Sequence, residues 1–337
     1  MSTYLIGRGF ENMTSLVIGA SGHLGAHLVR ELLAERDAVR VMVRPTSDLR
    51  GLAGLDIEVK HGDIRDPQSI AAAMRGCRNV YHLGAPTRIE SQLFRTIVGG
   101  ARRVLESASV AGVERVVYTS STVTVGYSQD SGRLLDETSN DLTPASPYHI
   151  AKWHAEKLVL AYALQTGLPV VVVNPSYIIG PLDYRGTSST EPIRRCVTGR
   201  MLPIFPGGVT LVHAQDVARG HIQAMQRGTP GQRYILGGEA VQIADYVRMA
   251  AEACGKPPPR LLVPRPAMLM AGAGLSALSM LTRINPPFSF TSALYTGGRF
   301  AWYSSAKAER ELLYSWRPAP VAVRETADWM STVFSKR

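Results

Sequence analysis

Short runs of apolar residues recur through the first half of the chain, separated by longer stretches with helical spacing. The runs are rich in valine, isoleucine, leucine and tyrosine, and they do not alternate with polar residues. Such runs are typical of a parallel sheet, because helices cover both of its faces. We predict six strands, at Ser15–Gly19, Val39–Val43, Ile57–Lys60, Asn79–Leu83, Arg115–Thr119 and Pro169–Val173.

The stretches between these runs predict helices. One of them opens just after Asp66, a residue type that caps helix N-termini. The alternation of strand and helix predicts an α/β fold with a Rossmann-type, doubly wound parallel sheet. We assign residues 13–180 to this unit, with later segments of the chain returning to it, and residues 1–12 are either a native extension or an artefact of the start site. The predicted helices are His23–Ala34, Pro67–Met74, Ser91–Ala111 and Tyr148–Gln165.

The pattern becomes less regular after about residue 180. Strands are predicted at Arg233–Gly237 and at residues 261–263, among several helices. We therefore predict a smaller C-terminal α+β region over residues 181–337. It would bind the substrate and cover the carboxyl ends of the parallel strands, where ligands bind in such sheets. The helices predicted here are Glu191–Gly199, Ala214–Arg227, Val241–Cys254, Pro266–Thr282, Ser304–Leu313 and Ala319–Phe334.

Composition narrows the class of protein. Hydrophobic residues make up 45% and charged residues 19% of the 337 positions, which excludes a disordered chain. The net charge is +10, but the basic residues are scattered, so we expect no nucleic-acid partner. Three cysteines without zinc-ligand spacing indicate a reducing compartment, so we expect a cytoplasmic protein with no metal site. The uncharged stretch Pro266–Thr282 is short for a bilayer span, so we expect no integral membrane segment.

A glycine-rich turn joins the first predicted strand to the first helix. Its residues read Gly-Ala-Ser-Gly-His-Leu-Gly from position 19 to position 25. Glycine allows a tight turn and a close approach of the backbone to a pyrophosphate, which the helix N-terminus attracts. In this context the turn predicts a dinucleotide site formed by Gly19, Ser21, Gly22, His23, Leu24 and Gly25.

The ends of the next two strands bear on the choice of cofactor. Arg44 ends the second strand, where an NAD site usually has an acidic residue. A guanidinium there suits the 2′-phosphate of NADP, so we predict NADP, with NAD as the alternative. Asp63 follows the third strand and either accepts a hydrogen bond from the adenine amino group or only begins the next turn.

A tyrosine and a lysine lie one helical turn apart, at Tyr148 and Lys152. A neighbouring ammonium favours the phenolate and lowers the tyrosine pKa from its usual value near ~10. The pair can then transfer a proton while a nicotinamide cofactor transfers a hydride. Serine and threonine residues end the fifth strand, where a hydroxyl can bond a substrate oxygen or simply form a turn.

Together these motifs resemble the extended short-chain dehydrogenases/reductases, in the NAD(P)-dependent nucleotide-sugar epimerase/dehydratase superfamily. Within it the chain is most similar to dihydroflavonol-4-reductase-like proteins and hopanoid-associated sugar epimerases. The resemblance runs from Met13 to about Leu313. The matching segments are VIGASGHLG, HGDIRD, VYHLGA, VVYTSSTVTVG, YHIAK, VVVNPSYIIGP, LVHAQDVARGH and YSSAKAEREL.

The resemblance implies roles for particular residues. Ser121, Tyr148 and Lys152 would form a catalytic triad. It also implies a small-molecule substrate, and it allows a homodimer paired through the two long helices, with Ala151, Ala155, Ala161 and Ala163 permitting close packing. The implied cofactor residues are Gly19, Gly22, Gly25, Arg44, Asp63 and Ile64 around the adenine half and Leu83, Gly84, Ala85, Lys152, Asn174 and Pro175 towards the nicotinamide.

The chain departs from the superfamily pattern at several positions. Ile97 stands where an asparagine usually holds a proton-relay water. Thr122 and Val123 replace the Asp-Glu pair of dehydratases, so dehydration lacks its acid and base. No arginine precedes the Val212-His213 pair, where nucleotide-sugar enzymes grip the diphosphate. Arginines that could replace it, or that are ordinary surface residues, are Arg194, Arg195, Arg200 and Arg299.

These observations favour an NAD(P)-dependent oxidoreductase that transfers hydride at a C–OH/C=O carbon. The leading version is a carbonyl reductase like dihydroflavonol-4-reductase. The alternative is a nucleoside-diphosphate-sugar epimerase that retains its cofactor, since both share the motifs above. A third hypothesis is a cofactor-binding regulatory module, which only Ile97 favours.

Overall fold

The fold is given by a computed structural model that describes residues 14–83, 92–140, 146–200, 204–259, 261–282 and 297–334. Its strands are β1 Thr14–Ile18, β2 Ala38–Val43, β3 Glu58–His61, β4 Asn79–His82, β5 Arg115–Thr119, β6 Val170–Pro175, β7 Tyr177–Ile179, β8 Gly208–His213, β9 Arg233–Leu236, β10 Glu239–Gln242 and β11 Phe300–Ala301. Its helices are α1 His23–Ala34, α2 Pro67–Met74, α3 Leu93–Ala111, α4 Pro147–Thr166, α5 Glu191–Val197, α6 Ala214–Arg227, α7 Ile243–Ala253, α8 Arg265–Thr282, α9 Ala306–Leu312 and α10 Ala319–Phe334.

Seven strands form one parallel sheet in the order β3-β2-β1-β4-β5-β6-β9. The chain moves outward from β1 in one direction and then from β4 in the other, so the order reverses between these two strands. The loops after them diverge at that point and leave a crevice at the carboxyl edge. The predicted Rossmann-type fold class is confirmed, and all six predicted strands are present, with ends that differ by at most two residues.

Alternate residues of each strand supply two separate apolar cores. Val17 and Val41 face the core covered by α1 and α6, whereas Leu16 and Val80 face the core covered by α3 and α4. These four side chains are at most 4% exposed. Because both faces of the central strands are buried, β1, β4 and β6 show no regular polar alternation, whereas the edge strand β3 is mostly exposed and does contain polar residues.

The later part of the chain contributes to both sheets. β9, the predicted strand near residue 233, completes the parallel sheet by pairing with β6, where Val172 is opposite Arg233. A second, smaller sheet is centred on β8, which pairs with β10, β11 and β7. The short strands β7, β8, β10 and β11 are absent from the sequence prediction. The strand predicted at 261–263 is reduced to one bridge, between Leu262 and Ile204.

The small residues of α4 and the expectations about membrane spans and metal sites can be compared with the structure. Ala151, Ala155 and Ala163 are buried in the core between α3 and α4 of their own chain, so their small size serves that packing. The homodimer stays a prediction. Within the described ranges, no helix combines the length and hydropathy needed to cross a bilayer, and no group of histidine, cysteine or carboxylate side chains could hold a metal.

Candidate active site

The turn between β1 and α1 requires glycine at two positions. Gly19 has a φ of +94°, in the region that favours glycine. A Cβ on Gly25 would lie 2.4 Å from the Gly19 carbonyl oxygen. Gly22 precedes the helix and supplies no side-chain cap to its first N–H groups. A close backbone approach with uncapped N–H groups fits the pyrophosphate of a dinucleotide.

The predicted cofactor residue His23 belongs to a row of three histidine rings in contact with one another. Its ring centroid lies 5.7 Å from that of His27, which lies 5.8 Å from that of His213. Burial lowers the pKa of His23, and it lowers the pKa of His27 and His213 to about 3. His27 Nε2 donates to the Pro181 carbonyl, and His213 Nε2 lies 3.1 Å from a Glu325 oxygen. The side chain of His23 therefore packs the loop against later segments, while its backbone remains in the turn.

A small surface pocket opens beside the glycine turn. On one side Arg185 approaches the turn, with Nη2 donating to Ser21 Oγ at 3.5 Å. The sequence analysis assigned no role to residues 182–185, which form this side of the pocket. Its lining residues are Ser21, Gly22, His23, Ala26, Asp48, Gly51, Leu182, Asp183, Tyr184 and Arg185.

The buried carboxylate of Asp183 holds the segment that carries Arg185. It accepts hydrogen bonds from the Thr187 N–H at 2.7 Å and the Thr190 hydroxyl at 2.6 Å, and also from the Gly186 N–H. These bonds form a local side-chain turn, for which an aspartate followed closely by Gly and Thr is a sequence signal. That signal could have identified an ordered loop, although not its position over the glycine turn.

Arg44, Asp63 and Ile64 lie at the ends of β2 and β3. Arg44 is exposed, and its charge contributes to lowering the pKa of Asp63. The Asp63 carboxylate is paired mainly with Arg65, at 2.7 Å, which is the larger cause of that lowering. Ile64 packs on α3, where a Cβ on Gly100 would lie 2.8 Å from Ile64 Cδ1. The structure therefore leaves Arg44 accessible to a phosphate and Asp63 already bound to a cation.

The three predicted catalytic residues lie close together at the carboxyl edge of β5. A capping box of Ser146 and His149 begins α4, which carries Tyr148 and Lys152. Lys152 Nζ donates to the Thr119 carbonyl at 2.9 Å. The Ser121 hydroxyl lies close enough to Tyr148 to act to lower the tyrosine pKa. This convergence is what proton transfer to a carbonyl oxygen requires.

The pKa values of the pair differ from the sequence expectation. Burial raises the pKa of Tyr148 to about 12, and the Ser121 hydroxyl partly opposes that change. Burial lowers the pKa of Lys152 to about 8, and the Glu156 carboxylate partly opposes that change. Desolvation therefore dominates both pKa values, and Ser121 rather than the Lys152 ammonium is the group that acts to lower the pKa of the phenol. At neutral pH Tyr148 is protonated and Lys152 is still charged.

Beneath the pair lies a buried carboxylate, Glu156, which the sequence analysis missed. It is 2% exposed and stands one turn after Lys152. Its Oε2 accepts from Thr124 Oγ1 at 2.8 Å and Asn174 Nδ2 at 2.7 Å, and its Oε1 pairs with Arg233 at 2.9 Å. The continuation of the Tyr-Lys spacing to a glutamate was the available signal.

Residues predicted near the nicotinamide occupy neighbouring strand ends. Asn174 is fully buried and donates to the Ser121 carbonyl at 3.1 Å, so it links β6 to the turn after β5. Pro175 ends β6. Leu83 follows β4, and its N–H donates to the Ile18 carbonyl at 2.9 Å. Gly84 and Ala85 lie outside the described residues.

The departures from the superfamily pattern have distinct surroundings. Ile97 is 2% exposed within the apolar core under α3, so this position packs and offers no polar group. Arg194 and Arg195 are each paired with Glu191 at 2.6 Å. Arg299 is 6% exposed, and its Nε and Nη1 are buried without a hydrogen-bond partner in the described part of the chain.

Comparison with known proteins agrees with this geometry. The sequence profile of the NAD dependent epimerase/dehydratase family matches residues 15–237. The chain belongs to that family. Relatives of this family member are named as reductases, so it is an NAD(P)-dependent enzyme.

Individual relatives cover most of the enzyme's length. Sterol demethylase protein B of Methylococcus capsulatus is 36% identical over 309 residues, covering 89% of this chain and 93% of that protein. A putative dihydroflavonol 4-reductase of Synechocystis sp. is 35% identical, covering 74% of each chain. A nucleoside-diphosphate-sugar epimerase from Pseudomonas aeruginosa superposes with a TM-score of 0.78 at 24% identity, over 96% of this chain and 98% of that one. This last likeness shows the shared fold.

The glycine turn yields a test of packing. Gly25→Ala forces α1 or the turn to shift, because the new Cβ meets Gly19 O at 2.4 Å. We expect a loss of about 1–3 kcal/mol in the free energy of unfolding, measured by urea denaturation. Gly274→Ala on α8 is the control, because its Cβ meets no atom within 4 Å and alanine favours helix by up to about 1 kcal/mol. Equal stability of the two variants would contradict the packing argument.

The buried carboxylate yields a second test. Glu156→Ala leaves Asn174 and Arg233 without their partner, so we expect a loss of about 2–4 kcal/mol in unfolding free energy, with a smaller loss for Glu156→Gln. Glu106→Ala is the control, because its pairing with Arg102 is exposed at 3.9 Å and should contribute under about 1 kcal/mol. If urea denaturation gives similar losses for Glu156→Ala and Glu106→Ala, Glu156 does not hold the site together.

Proposed function

We propose that the enzyme is an NADP-dependent carbonyl reductase. The observation that carries this proposal is the convergence of Ser121 with Tyr148 and Lys152 of α4 at the carboxyl edge of the sheet, where Lys152 Nζ donates to the Thr119 carbonyl. A reductase needs a proton donor at neutral pH for the oxygen that receives negative charge. The phenol supplies that donor without help from a carboxylic acid.

Each residue of the site has a role in this reaction. The bound dinucleotide supplies the hydride. Tyr148 donates its proton to the carbonyl oxygen, and Ser121 orients that oxygen. Lys152 has a pKa of about 8, so it is charged at neutral pH and stabilises the tyrosinate that remains. Its Nζ is held by the Thr119 carbonyl. Asn174 fixes the turn that carries Ser121.

The glycine turn and Arg44 support the proposed cofactor. The turn would hold the pyrophosphate at the N-terminus of α1. Arg44 is exposed at the end of β2, where its guanidinium can make a bidentate, charge-assisted contact with a 2′-phosphate. The named relatives support the substrate class, since one is called a putative dihydroflavonol 4-reductase and another acts in sterol demethylation by its name.

A second candidate, a nucleoside-diphosphate-sugar epimerase, is favoured by Arg299. Its buried and unpartnered Nε and Nη1 atoms could bind an anionic group of a substrate. An epimerase oxidises and re-reduces one carbon, so it retains its cofactor. The two candidates therefore differ in cofactor turnover and in affinity for a nucleoside diphosphate.

Cofactor turnover decides between the candidates. As a reductase, the purified protein should hold little NADP and should oxidise NADPH stoichiometrically with a carbonyl probe, either a dihydroflavonol or a steroid ketone. Tyr148→Phe should lower turnover at least ~10²-fold, because the proton donor is lost, with little change in NADPH affinity. Tightly retained dinucleotide, low-micromolar binding of UDP or dTDP, and no net NADPH oxidation would favour the epimerase.

The cofactor preference tests Arg44. By calorimetric titration NADPH should bind better than NADH by roughly 1.5–3 kcal/mol, the scale of a charge-assisted hydrogen bond. Arg44→Asp should reverse the order, because a carboxylate repels the 2′-phosphate and accepts from the ribose hydroxyls of NADH. Arg75→Asp on the exposed end of α2 should leave the preference unchanged. Equal affinities in the wild-type enzyme would contradict the assignment.

A further inference from the structure

Helix α8 and the segment before it expose an unusual apolar surface. Among the large apolar side chains of the described residues that lie open to solvent, Leu261, Leu262, Met270 and Leu278 are concentrated here, at 53–75% exposure. The exposed positions between them on α8 are also apolar. We call this set the α8 surface, formed by Leu261, Leu262, Ala267, Met270, Ala271, Gly274, Ala277 and Leu278.

The α8 surface lacks the polar outer face of an ordinary surface helix. Met268 and Gly272, one turn apart, are buried against the protein. The opposite face is exposed, yet no charged residue occurs from Pro266 to Thr282. A helix that is apolar all round is normally enclosed by protein or by lipid, and contiguous exposed apolar patches mark interaction sites.

The charge of the surrounding chain identifies the partner. From residue 253 to residue 308 the sequence contains no aspartate or glutamate. The same stretch contains six basic residues, at Lys256, Arg260, Arg265, Arg283, Arg299 and Lys307, and the whole chain carries +10. Among the described cations, Arg299 is buried, whereas Lys256 and Arg265, before and at the start of the uncharged helix, are partly exposed. Partly exposed cations beside an apolar surface are the combination that binds anionic lipid, because apolar side chains enter the acyl boundary while cations meet the headgroups.

We infer that the α8 surface docks the enzyme onto an anionic lipid bilayer, with α8 lying in the interface. No described helix is suited to crossing the bilayer, so the contact is peripheral. A second copy of the chain is a poorer partner. A twofold interface would place this acid-free, basic segment against itself, and like charges would repel. A bilayer supplies both the apolar layer and the opposite charge.

Docking would place the C-terminal region next to the lipid. The Arg265 side chain at the start of α8 lies against Gly298, where its Cδ would be 3.1 Å from an added Cβ. Gly298 immediately precedes Arg299, whose charge acts on the buried Tyr127. The start of α8 therefore packs beside the segment that carries Arg299.

Vesicle flotation tests the inference with the full chain. The wild-type protein should float with phosphatidylcholine vesicles that contain about 40% phosphatidylglycerol, which gives a strongly anionic surface. It should float at least about tenfold less with pure phosphatidylcholine, and less again in about 1 M salt, because screening weakens the charged contacts. Flotation that does not exceed the vesicle-free control would overturn the inference.

Matched substitutions locate the contact. Met270→Glu and Leu278→Glu should each lower partition onto anionic vesicles by about tenfold, because a carboxylate enters neither the acyl layer nor the anionic surface. Met270→Gln, which adds no charge, should give a smaller loss and serves if the charged variants misfold. Val110→Glu on α3 is the control, because Val110 is 90% exposed and far along the chain from α8. Flotation of the α8 variants at the wild-type level would overturn the inference. It would also be overturned if light scattering showed that an α8 variant had lost a dimer while its flotation was unchanged.

Discussion

One buried carboxylate, that of Glu156, ties together the segments that form the candidate site. Removing a carboxylate from water is costly unless cations and hydrogen-bond donors replace the solvent. Those donors come from the turn after β5, from β6 and from β9, through Thr124, Asn174 and Arg233. The chain can therefore bury Glu156 only when these segments are in place. The positions of Ser121, Tyr148 and Lys152 follow from that requirement, since two of them share α4 with Glu156.

Burial also sets the protonation of the site. The same loss of solvent that raises the pKa of Tyr148 lowers that of Lys152, because in each case the charged form is penalised. The result is a neutral phenol beside a lysine that is close to losing its proton. The nearby carboxylate of Glu156 keeps the lysine charged at neutral pH. A single environment thus prepares an acid and a cation for one reaction.

The sequence predicted the parallel sheet and the glycine turn because both leave local signals: unbroken apolar runs, and glycines where a Cβ would collide. Two strands of the second sheet, β7 and β11, were missed because they contain only three and two residues, too short for periodicity, whereas the six-residue β8 was missed although it is long enough to show a pattern. Arg185 was missed because it lies 164 positions after Ser21 in the sequence, and only the folded chain brings the two residues together. The direction of the Tyr148 pKa was wrong because a sequence shows a neighbouring lysine but not the extent of desolvation.

The row of histidine rings formed by His23, His27 and His213 makes the contact between the glycine turn and the C-terminal region sensitive to acid. Unfolded histidines bind protons near pH 6.5, whereas burial keeps the pKa of His27 and His213 at about 3. Between these values the unfolded chain takes up protons that the folded chain excludes, so stability falls as the pH drops below 6.5. Acid therefore weakens the packing of α1 against α6, and because these two helices cover one face of the parallel sheet, it weakens the core of the nucleotide-binding half itself.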